Sequence, residues 1–359
     1  MSAIPQALDA IPVLGFVFQF LGYVVANIDF MSNTTVAIAV PIALAALCGV
    51  LCERSGVVNI GLEGTMLMAA FVGWFVAIVM ADVLGRGAGL PLFGITPALM
   101  IGLLAAILAG MLVAFLHAWL CISARIDQII AGTIINIGAA GLTGYLYSLI
   151  SSQSPVSAGH FASYQVPGAV KDLPLVGWLI NAFLSQGPIG LFTLVLVVVL
   201  QVLLFRSRWG LRTRAAGEHP RAAETVGIDV IRLRYLNVVM SGGLAALGGA
   251  WLTMEYGTSF NAGITAGRGF IGLAAMIVGR WSPVGAFGAA LLFASVTALS
   301  TSLTNAPPPG DLGSFTSTVP GYFWDALPYV ITIVVLAGVI GRSIAPAADG
   351  QPYERESAS

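Results

Sequence analysis

Residues 97–121 read PALMIGLLAAILAGMLVAFLHAWLC, and this stretch, which holds no Asp, Glu, Lys or Arg, decides the class of the fold. As an α-helix it is about 37 Å long, at a rise of about 1.5 Å per residue. The hydrocarbon core of a bilayer is about 30 Å thick. The stretch therefore predicts a helix that crosses a membrane.

Apolar runs of similar length recur along the whole chain. Of its 359 residues, 58% are hydrophobic and 9% are charged, whereas a soluble domain has about 25% charged residues. The sequence thus predicts an all-α, polytopic membrane helix bundle with about 9–10 transmembrane helices. The other runs are 11–28, 34–51, 64–83, 127–150, 188–206, 232–255, 267–280, 284–302 and 324–342.

Two of these runs leave alternatives open. The run 11–28 is interrupted by Gln19 and Asn27, so it either crosses the membrane or lies on its surface as an amphipathic helix. The run 267–280 rises only about 21 Å as a helix. It either crosses where the bilayer is thinned and protein surrounds it, or forms a re-entrant hairpin.

The distribution of arginine orients the bundle. If every run crosses, twelve arginines lie on one side, and the other side has only Arg86, Lys171 and Arg268. This asymmetry is typical of the positive-inside rule and places both termini in the cytoplasm. A re-entrant 267–280 weakens the asymmetry, so we expect that run to cross. The twelve are Arg54, Arg125, Arg206, Arg208, Arg212, Arg214, Arg221, Arg232, Arg234, Arg280, Arg342 and Arg355.

The chain is expected to have three parts. Residues 1–33 form an N-terminal segment with a possible extra membrane helix, and residues 34–342 form the transmembrane domain. Residues 343–359 are polar and are predicted to be a disordered cytoplasmic tail. Within the domain, the outer loop 151–185 is rich in proline and aromatic residues, which suits a cap lying on the membrane. This cap either docks a partner or seals the helix bundle.

The loop 207–231 lies in the only long charged stretch of the sequence and carries the signals of a short helix. Pro220 suits the first helical position, where its missing N–H costs nothing. Gly227 suits the residue after the last turn, where a positive φ is needed. A helix this short is unstable alone, so it needs something to pack against.

The residues of this short helix favour a protein partner. Arg221 and Glu224 are spaced to pair at i,i+3, while Ala222, Ala223 and Val226 are expected to give one small, mostly apolar face. A juxtamembrane basic segment can instead bind anionic lipid. Acidic residues alternate with the arginines here, which indicates a protein partner rather than a lipid surface.

Four polar side chains fall inside or beside the apolar runs. Asn59 and Glu63 lie one helical turn apart, and Gln128 and Asn136 lie two turns apart on another run. A charged carboxylate facing lipid costs roughly 3 kcal/mol, so Glu63 is expected to face the bundle, a water-filled path or the cytoplasmic rim. The four side chains either line a substrate path, or they bridge helices and satisfy interrupted backbone.

Four motifs, in their order along the chain, carry a resemblance to a known family. They are GVVNIGLEG at 56–64, RIDQIIAGTIIN at 125–136, AAGEHPRAAETVGIDVIRLRYLNVVMSGGLAALGGAWL at 215–252 and GRGFIGLAAMIVGRWSPVGA at 267–286. The sequence resembles the permease subunits of nucleoside-type ABC importers, a branch of the branched-chain amino acid and simple-sugar importer permeases. It departs from the family pattern at Thr65, where Met is more usual, and in a longer outer loop.

This resemblance implies a transporter in the cytoplasmic (inner) membrane with several partners. An extracytoplasmic binding protein delivers a nucleoside, two unlike permeases form the path, and a cytoplasmic ABC ATPase hydrolyses ATP. If the four polar side chains line the path rather than bridge helices, the path residues are Asn59, Glu63, Gln128 and Asn136. The segment 215–229 resembles the loop that couples permease and ATPase. The coupling residues are then Gly217, Glu218, Pro220, Arg221, Ala222, Ala223, Glu224, Val226 and Gly227.

The chain itself is expected to bind no cofactor, metal or nucleic acid and to be no enzyme. It lacks the Walker motif GxxxxGK[ST], so ATP must be bound by a partner. Its three histidines and three cysteines are too scattered for a metal or catalytic site. The alternatives are a permease of the same family for a simple sugar or other small polar solute, or a secondary transporter driven by an ion gradient. The second alternative calls for acidic or histidine pairs at mid-depth, which the sequence barely offers.

Overall fold

The computed structural model describes residues 12–85, 87, 90, 92–152, 156–174, 176–334, 337 and 343–354, and all regular secondary structure within them is helical. Seven helices are long and apolar enough to cross a membrane, so the predicted all-α membrane bundle is confirmed. They are α2 (Ile28–Glu53), α3 (Leu62–Leu84), α4 (Pro97–Ala118), α5 (Gln128–Ser151), α8 (Pro188–Arg206), α11 (Val230–Trp251) and α13 (Pro283–Asn305). One π-helical turn extends α4 to Ser123, and another extends α11 to Tyr256.

Shorter helices fill the connections and account for the three remaining apolar runs. They are α1 (Pro12–Ala26), α6 (Gly168–Lys171), α7 (Gly177–Leu184), α9 (Arg208–Glu218), α10 (Pro220–Thr225), α12 (Arg268–Val278), α14 (Asp311–Thr318) and α15 (Gly321–Val334). Beyond the end of α15, residues 335, 336 and 338–342 of the predicted run 324–342 lie outside the described residues. We call the end of the bundle that carries the loop 207–231 the basic end.

Helices α2 and α11 form the centre of the bundle. In the most apolar 18-residue stretch of α2, 89% of the residues are buried, and in that of α11, 78% of the residues are buried. The value is only 28% for α4, α5 and α8, whose outer faces expose apolar side chains such as Leu108 and Leu112. These outer faces suit lipid or another membrane subunit.

Small residues let α11 approach its neighbours closely. A methyl group at Gly249 would lie 2.1 Å from the Met66 carbonyl oxygen of α3. A methyl group at Gly242 would lie 2.3 Å from the Cβ of Ala114 on α4. Lipid provides no hydrophobic drive between helices, so this close backbone contact is what holds the bundle together.

Helix α3 begins inside the bundle rather than at its basic end. The connection 54–61 is not helical and runs alongside α5. At its start, Val58 N donates to Gln128 Oε1 at 2.6 Å. Further on, Gly64 N donates to Asn136 Oδ1 at 2.7 Å. Because Gln128 and Asn136 are about 12 Å apart along the axis of α5, residues 58–64, which end in the first turn of α3, penetrate the bundle by about that distance.

The connection between α11 and α12 enters the bundle from the opposite end. Residues 257–267 are not helical, and the buried Phe260 packs against Phe71 and Trp74 of α3. The connection then reaches Glu63 at the start of α3, where Gly267 N donates to its carboxylate at 2.8 Å. Irregular backbone at this depth is tolerated because protein surrounds it.

Helix α12 completes this crossing. It is about 16 Å long and begins beside Glu63, and just beyond its end Arg54 Nε donates to Trp281 O at 2.9 Å at the basic end. The segment 257–280 thus traverses the bundle as a non-helical half followed by a helical half. Arg268, expected with Arg86 on the side opposite the twelve arginines, lies instead at the start of α12 within the bundle, and its guanidinium donates to Ile264 O at 3.1 Å.

Helix α1 and the segment 343–354 pack against opposite ends of the bundle. Tyr23 of α1 bonds through its hydroxyl to Ser302 Oγ at 2.6 Å, near the end of α13. Residues 1–11 of the predicted N-terminal segment lie outside the described residues. At the basic end, Ala348 N donates to Gly217 O at 2.8 Å. Residues 343–354 of the predicted disordered tail thus contact backbone and buried polar groups of the bundle, whereas 355–359 lie outside the described residues.

The outer loop 151–185 covers the end of α11 that is remote from the basic end. Phe161 is buried, and its amide donates to Met254 O at 2.6 Å. The loop therefore seals the bundle there, as one of the two alternatives expected, while docking of a partner on it stays a prediction.

Candidate functional site

The loop 207–231 forms two helices that project from the basic end. Helix α9 begins after Ser207, whose hydroxyl accepts a hydrogen bond from Gly210 N at 3.0 Å. Helix α10 begins at Pro220, and Gly227 follows it with a φ of +83°. The proline start and the left-handed glycine match the helix limits predicted from the sequence.

The small apolar residues of α10 do not form a single face. Ala223 is buried and packs with Ala216 and Val230. Ala222 and Val226 are exposed, Val226 to 76%. The predicted common face is therefore wrong: residues 222 and 223 are about 100° apart around a helix, so one fixes α10 while the other faces outward.

The loop is held firmly against the bundle. The backbone at Gly217 passes so close to α2 that a methyl group there would lie 2.4 Å from Arg54 O. Glu218 lies 3.9 Å from the guanidinium of Arg54 and accepts a hydrogen bond from Ala347 N at 3.1 Å. Glu224 accepts a hydrogen bond from the hydroxyl of Tyr353. The end of α9 thus contacts the end of α2, and both α9 and α10 contact the tail.

The polar residues near α3 satisfy the backbone of the non-helical connection. Asn59 Oδ1 accepts from Gly61 N at 3.0 Å, and Asn136 Nδ2 donates to Ile60 O at 3.0 Å. With the two bonds from Val58 and Gly64, these contacts pair the donors and acceptors that no helix pairs. Asn59 lies outside α3, so the predicted helical stripe through Asn59 and Glu63 is wrong.

Glu63 joins the first turn of α3 to the first turn of α12. Its two carboxylate oxygens accept from Gly267 N at 2.8 Å and Gly269 N at 2.7 Å. Both helix N-termini carry partial positive charge, which stabilises a carboxylate placed between them. Glu63 therefore links two membrane crossings that are each interrupted by non-helical backbone, at 54–61 and at 257–267.

Burial distinguishes the path-lining role from the bridging role for these four side chains. Asn59 is 1% exposed and Gln128 is 5% exposed, so neither is accessible to a solute in this conformation. Glu63 and Asn136 are partly exposed. The geometry thus favours the backbone-bridging role for the first pair, and only the second pair can also face a path.

Comparison with known proteins identifies the family. The profile of the family described as "Branched-chain amino acid transport system / permease component" matches residues 31–344. The chain belongs to this permease family. It is 36% identical to the guanosine ABC transporter permease protein NupQ of Bacillus subtilis, over 92% of this chain and 98% of that protein. It is 34% identical to the nucleoside ABC transporter permease protein NupC of Lactococcus lactis, over 94% of this chain and 98% of that protein.

A third relative is named for a different solute. The permease is 33% identical to the putative glucose ABC transporter permease protein TsgC13 of Haloferax volcanii, over 90% of this chain and 97% of that protein. Full-length similarity therefore extends to relatives named for nucleosides and to one named for a sugar.

Sequence reasoning missed a buried charged cluster at the basic end of the permease. Arg234 is 2% exposed, and its guanidinium donates to Gln351 O at 3.0 Å. Glu53 accepts a hydrogen bond from Trp281 Nε1 at 2.6 Å and interacts with Asp349 of the tail. Burial raises the pKa of Asp349 to about 6, partly opposed by its hydrogen bond with Glu53. Only the tertiary structure brings these residues together, so no local pattern signals them.

Sequence reasoning also missed the role of Glu255. Its carboxylate accepts from Ile189 N at 2.7 Å and Gly190 N at 3.0 Å, at the start of α8. Trp251 Nε1 donates to the same carboxylate at 3.0 Å. Glu255 thus repeats on α8 the arrangement that Glu63 makes on α12. The sequence offers one signal for this role, because Glu255 is an isolated acidic residue at the end of the apolar run 232–255.

Proposed function

We propose that this multi-pass permease is one subunit of an ABC importer in the cytoplasmic (inner) membrane and forms half of the translocation path for nucleosides. The relatives named for guanosine and for nucleosides support this solute class, since each aligns over more than nine-tenths of this chain. A second, unlike permease completes the path, and an extracytoplasmic binding protein supplies the solute. ATP is used by a cytoplasmic ATPase subunit and not by this chain.

The observation that carries the proposal is the projecting helix α10. It presents Ala222 to solvent, and Val226 directly after it is also exposed, while Ala223 and Glu224 fix the helix to the permease. A short helix with an exposed apolar edge on a rigid base is suited to enter a groove on a protein partner. The surrounding arginines support a cytoplasmic position for this end, on the side where an ATPase operates.

A simple sugar is the second candidate solute. The similarity to the relative named for glucose covers 90% of the chain, nearly as much as the similarity to the nucleoside relatives. Competition separates the two: excess unlabelled nucleoside should block uptake of labelled guanosine by the complete importer, and excess glucose should not. Uptake of glucose that is insensitive to nucleosides would assign the sugar instead.

The coupling role is tested by Val226→Arg in the complete importer. We expect loss of nucleoside uptake and weaker retention of the ATPase on the purified permease, because a charge replaces an apolar contact. Ile344→Arg is the matched control, since Ile344 is 83% exposed at the same end but does not belong to α10. Wild-type uptake and ATPase retention in Val226→Arg would refute the coupling role of the segment.

A further inference from the structure

A cleft opens between the loop 207–231 and the tail at the basic end of the permease. Its volume is about 710 Å³, and it is open to solvent on one side. Residues of α9 and α10 form one wall, and tail residues form the other. The lining residues include Glu218 and Ala222 on the first wall and Ala347, Pro352 and Glu354 on the second.

The two walls of this cleft are fixed to each other. At its base, Ala347 N donates to Glu218 Oε2 at 3.1 Å, next to the backbone bond between Ala348 and Gly217. At the far end of the tail, the guanidinium of Arg125 binds the carboxylate of Glu354 at 2.5 Å. The cleft is therefore preformed, and a partner that enters it does not have to order either wall.

We propose that residues 347–354 are the second wall of the docking site for the ATPase subunit, so that the ATPase contacts both α10 and the tail. This inference rests on the coupling role proposed above. Helix α10 is only about 9 Å long, whereas a stable protein interface buries about 800 Å² on each partner. The tail extends the same surface, because Ala222 of α10 and Pro352 of the tail line one cleft.

The charges of the cleft favour a protein over a lipid headgroup. Carboxylates stand on both walls, Glu218 on one and Glu354 on the other. A segment that binds anionic headgroups presents mainly cations, whereas each wall of this cleft also presents a carboxylate. The cationic and acidic groups are interspersed, as in the polar rim of a protein interface.

The test places a new charge on the tail wall without removing a tail contact. Pro352 is exposed in the cleft and has no N–H to lose. We expect Pro352→Arg to weaken binding of the ATPase by about tenfold or more, equivalent to about 1.4 kcal/mol, and to lower uptake. Ile344→Arg, on the same tail but outside the cleft, should stay within about twofold of wild type in both measurements. Binding is measured between the detergent-solubilised full-length permease complex and added ATPase.

Comparison with Val226→Arg separates this inference from the coupling role. Weakened binding in both Val226→Arg and Pro352→Arg supports the two-walled site. Weakened binding in Val226→Arg with wild-type binding in Pro352→Arg overturns the tail wall and leaves the coupling role standing. Wild-type binding in both variants overturns both.

A photo-crosslinking amino acid at position 352 gives a second measurement that does not depend on the effect of an added charge. In the assembled importer, we expect it to form a covalent adduct with the ATPase, whereas the same probe at position 344 should not. Adducts from position 352 that contain only lipid or only the permease itself would overturn the proposal.

Discussion

Replacement of Glu63 should destabilise the permease before it affects any contact with solute. Glu63→Ala removes two hydrogen bonds to a carboxylate, at 2.8 and 2.7 Å, and leaves the amides of Gly267 and Gly269 without their acceptor. A hydrogen bond to a charged group contributes about 1.5–3 kcal/mol, so the expected loss is about 3–6 kcal/mol of unfolding free energy. Glu63→Gln keeps one oxygen that accepts a hydrogen bond from one of the two glycine amides. The NH₂ group of the new side chain is a donor, so it faces the N–H of the other glycine without forming a hydrogen bond. The loss of unfolding free energy in Glu63→Gln should be about half as large, about 1.5–3 kcal/mol.

The assay is thermal unfolding of the purified permease complex in one detergent, with uptake measured on the same variants. Stability should fall in the order wild type, Glu63→Gln, Glu63→Ala. Gly269→Ala tests the junction from its other side, since a methyl group there would lie 2.7 Å from Glu63 Oε2. The double variant Glu63→Ala/Gly269→Ala should lose less stability than the two single losses added together, because both disrupt one junction.

A wild-type unfolding temperature in Glu63→Ala would contradict this structural role. If uptake collapses at the same time, the carboxylate serves the path and the junction is held by other contacts. Additive losses in the double variant would likewise show that Glu63 and Gly269 do not share one interaction.

Contacts elsewhere in the permease lead to three further expectations. Gly249→Ala should cost about 1–3 kcal/mol by overpacking against Met66 O, whereas Gly243→Ala is the tolerated control because its nearest neighbouring atom would be 3.6 Å away; thermal unfolding of both variants checks this. Glu255→Ala should expose the first turn of α8 to faster hydrogen exchange, with Glu255→Gln intermediate, and unchanged exchange at residues 189 and 190 would contradict the capping role. For Asp349, whose folded pKa is about 6 against an ordinary 3.8, the stability it contributes is complete below pH 3.8 and is lost as the pH rises through about 6. Hydrogen exchange of residues 343–354, corrected for intrinsic rates, should therefore accelerate between pH 3.8 and about 6 and level off above that in the wild type, and Asp349→Asn should remove this acceleration.

Two interrupted membrane crossings of the fold meet at Glu63. Two crossings are broken at the same level, one by the connection 54–61 and the other by the connection 257–267. Their helical halves meet end to end at one carboxylate. The junction between α3 and α12 is held by these two hydrogen bonds and by close packing, since a methyl group at Gly269 would lie 2.8 Å from the Cα of Glu63.

Much of the fold follows from local sequence. Hydropathy alone locates the seven long helices, because a helix surrounded by lipid must satisfy its own backbone and present apolar side chains along its length. The limits of α10 follow from Pro220 and Gly227, since each residue restricts the backbone angles at its own position. These features need no information about distant residues.

The candidate site is less predictable for a physical reason. Asn59 and Glu63 stand out in the sequence as polar residues among apolar ones, but the partners of Glu63 lie up to 206 residues away along the chain. The orientation of Ala222 and Ala223 depends on what α10 packs against. No periodicity in the sequence specifies that neighbour.

Local sequence is therefore enough to specify a membrane helix bundle with a basic end and a short projecting helix, because bilayer thickness, charge asymmetry and backbone restrictions all act locally. It does not specify that α3 and α12 begin inside the bundle, that Glu63 joins them, or that residues 343–354 bind the loop 207–231; the tertiary structure establishes these. Each of these features depends on a buried donor finding an acceptor from a distant segment, and that pairing exists only once the helices are packed.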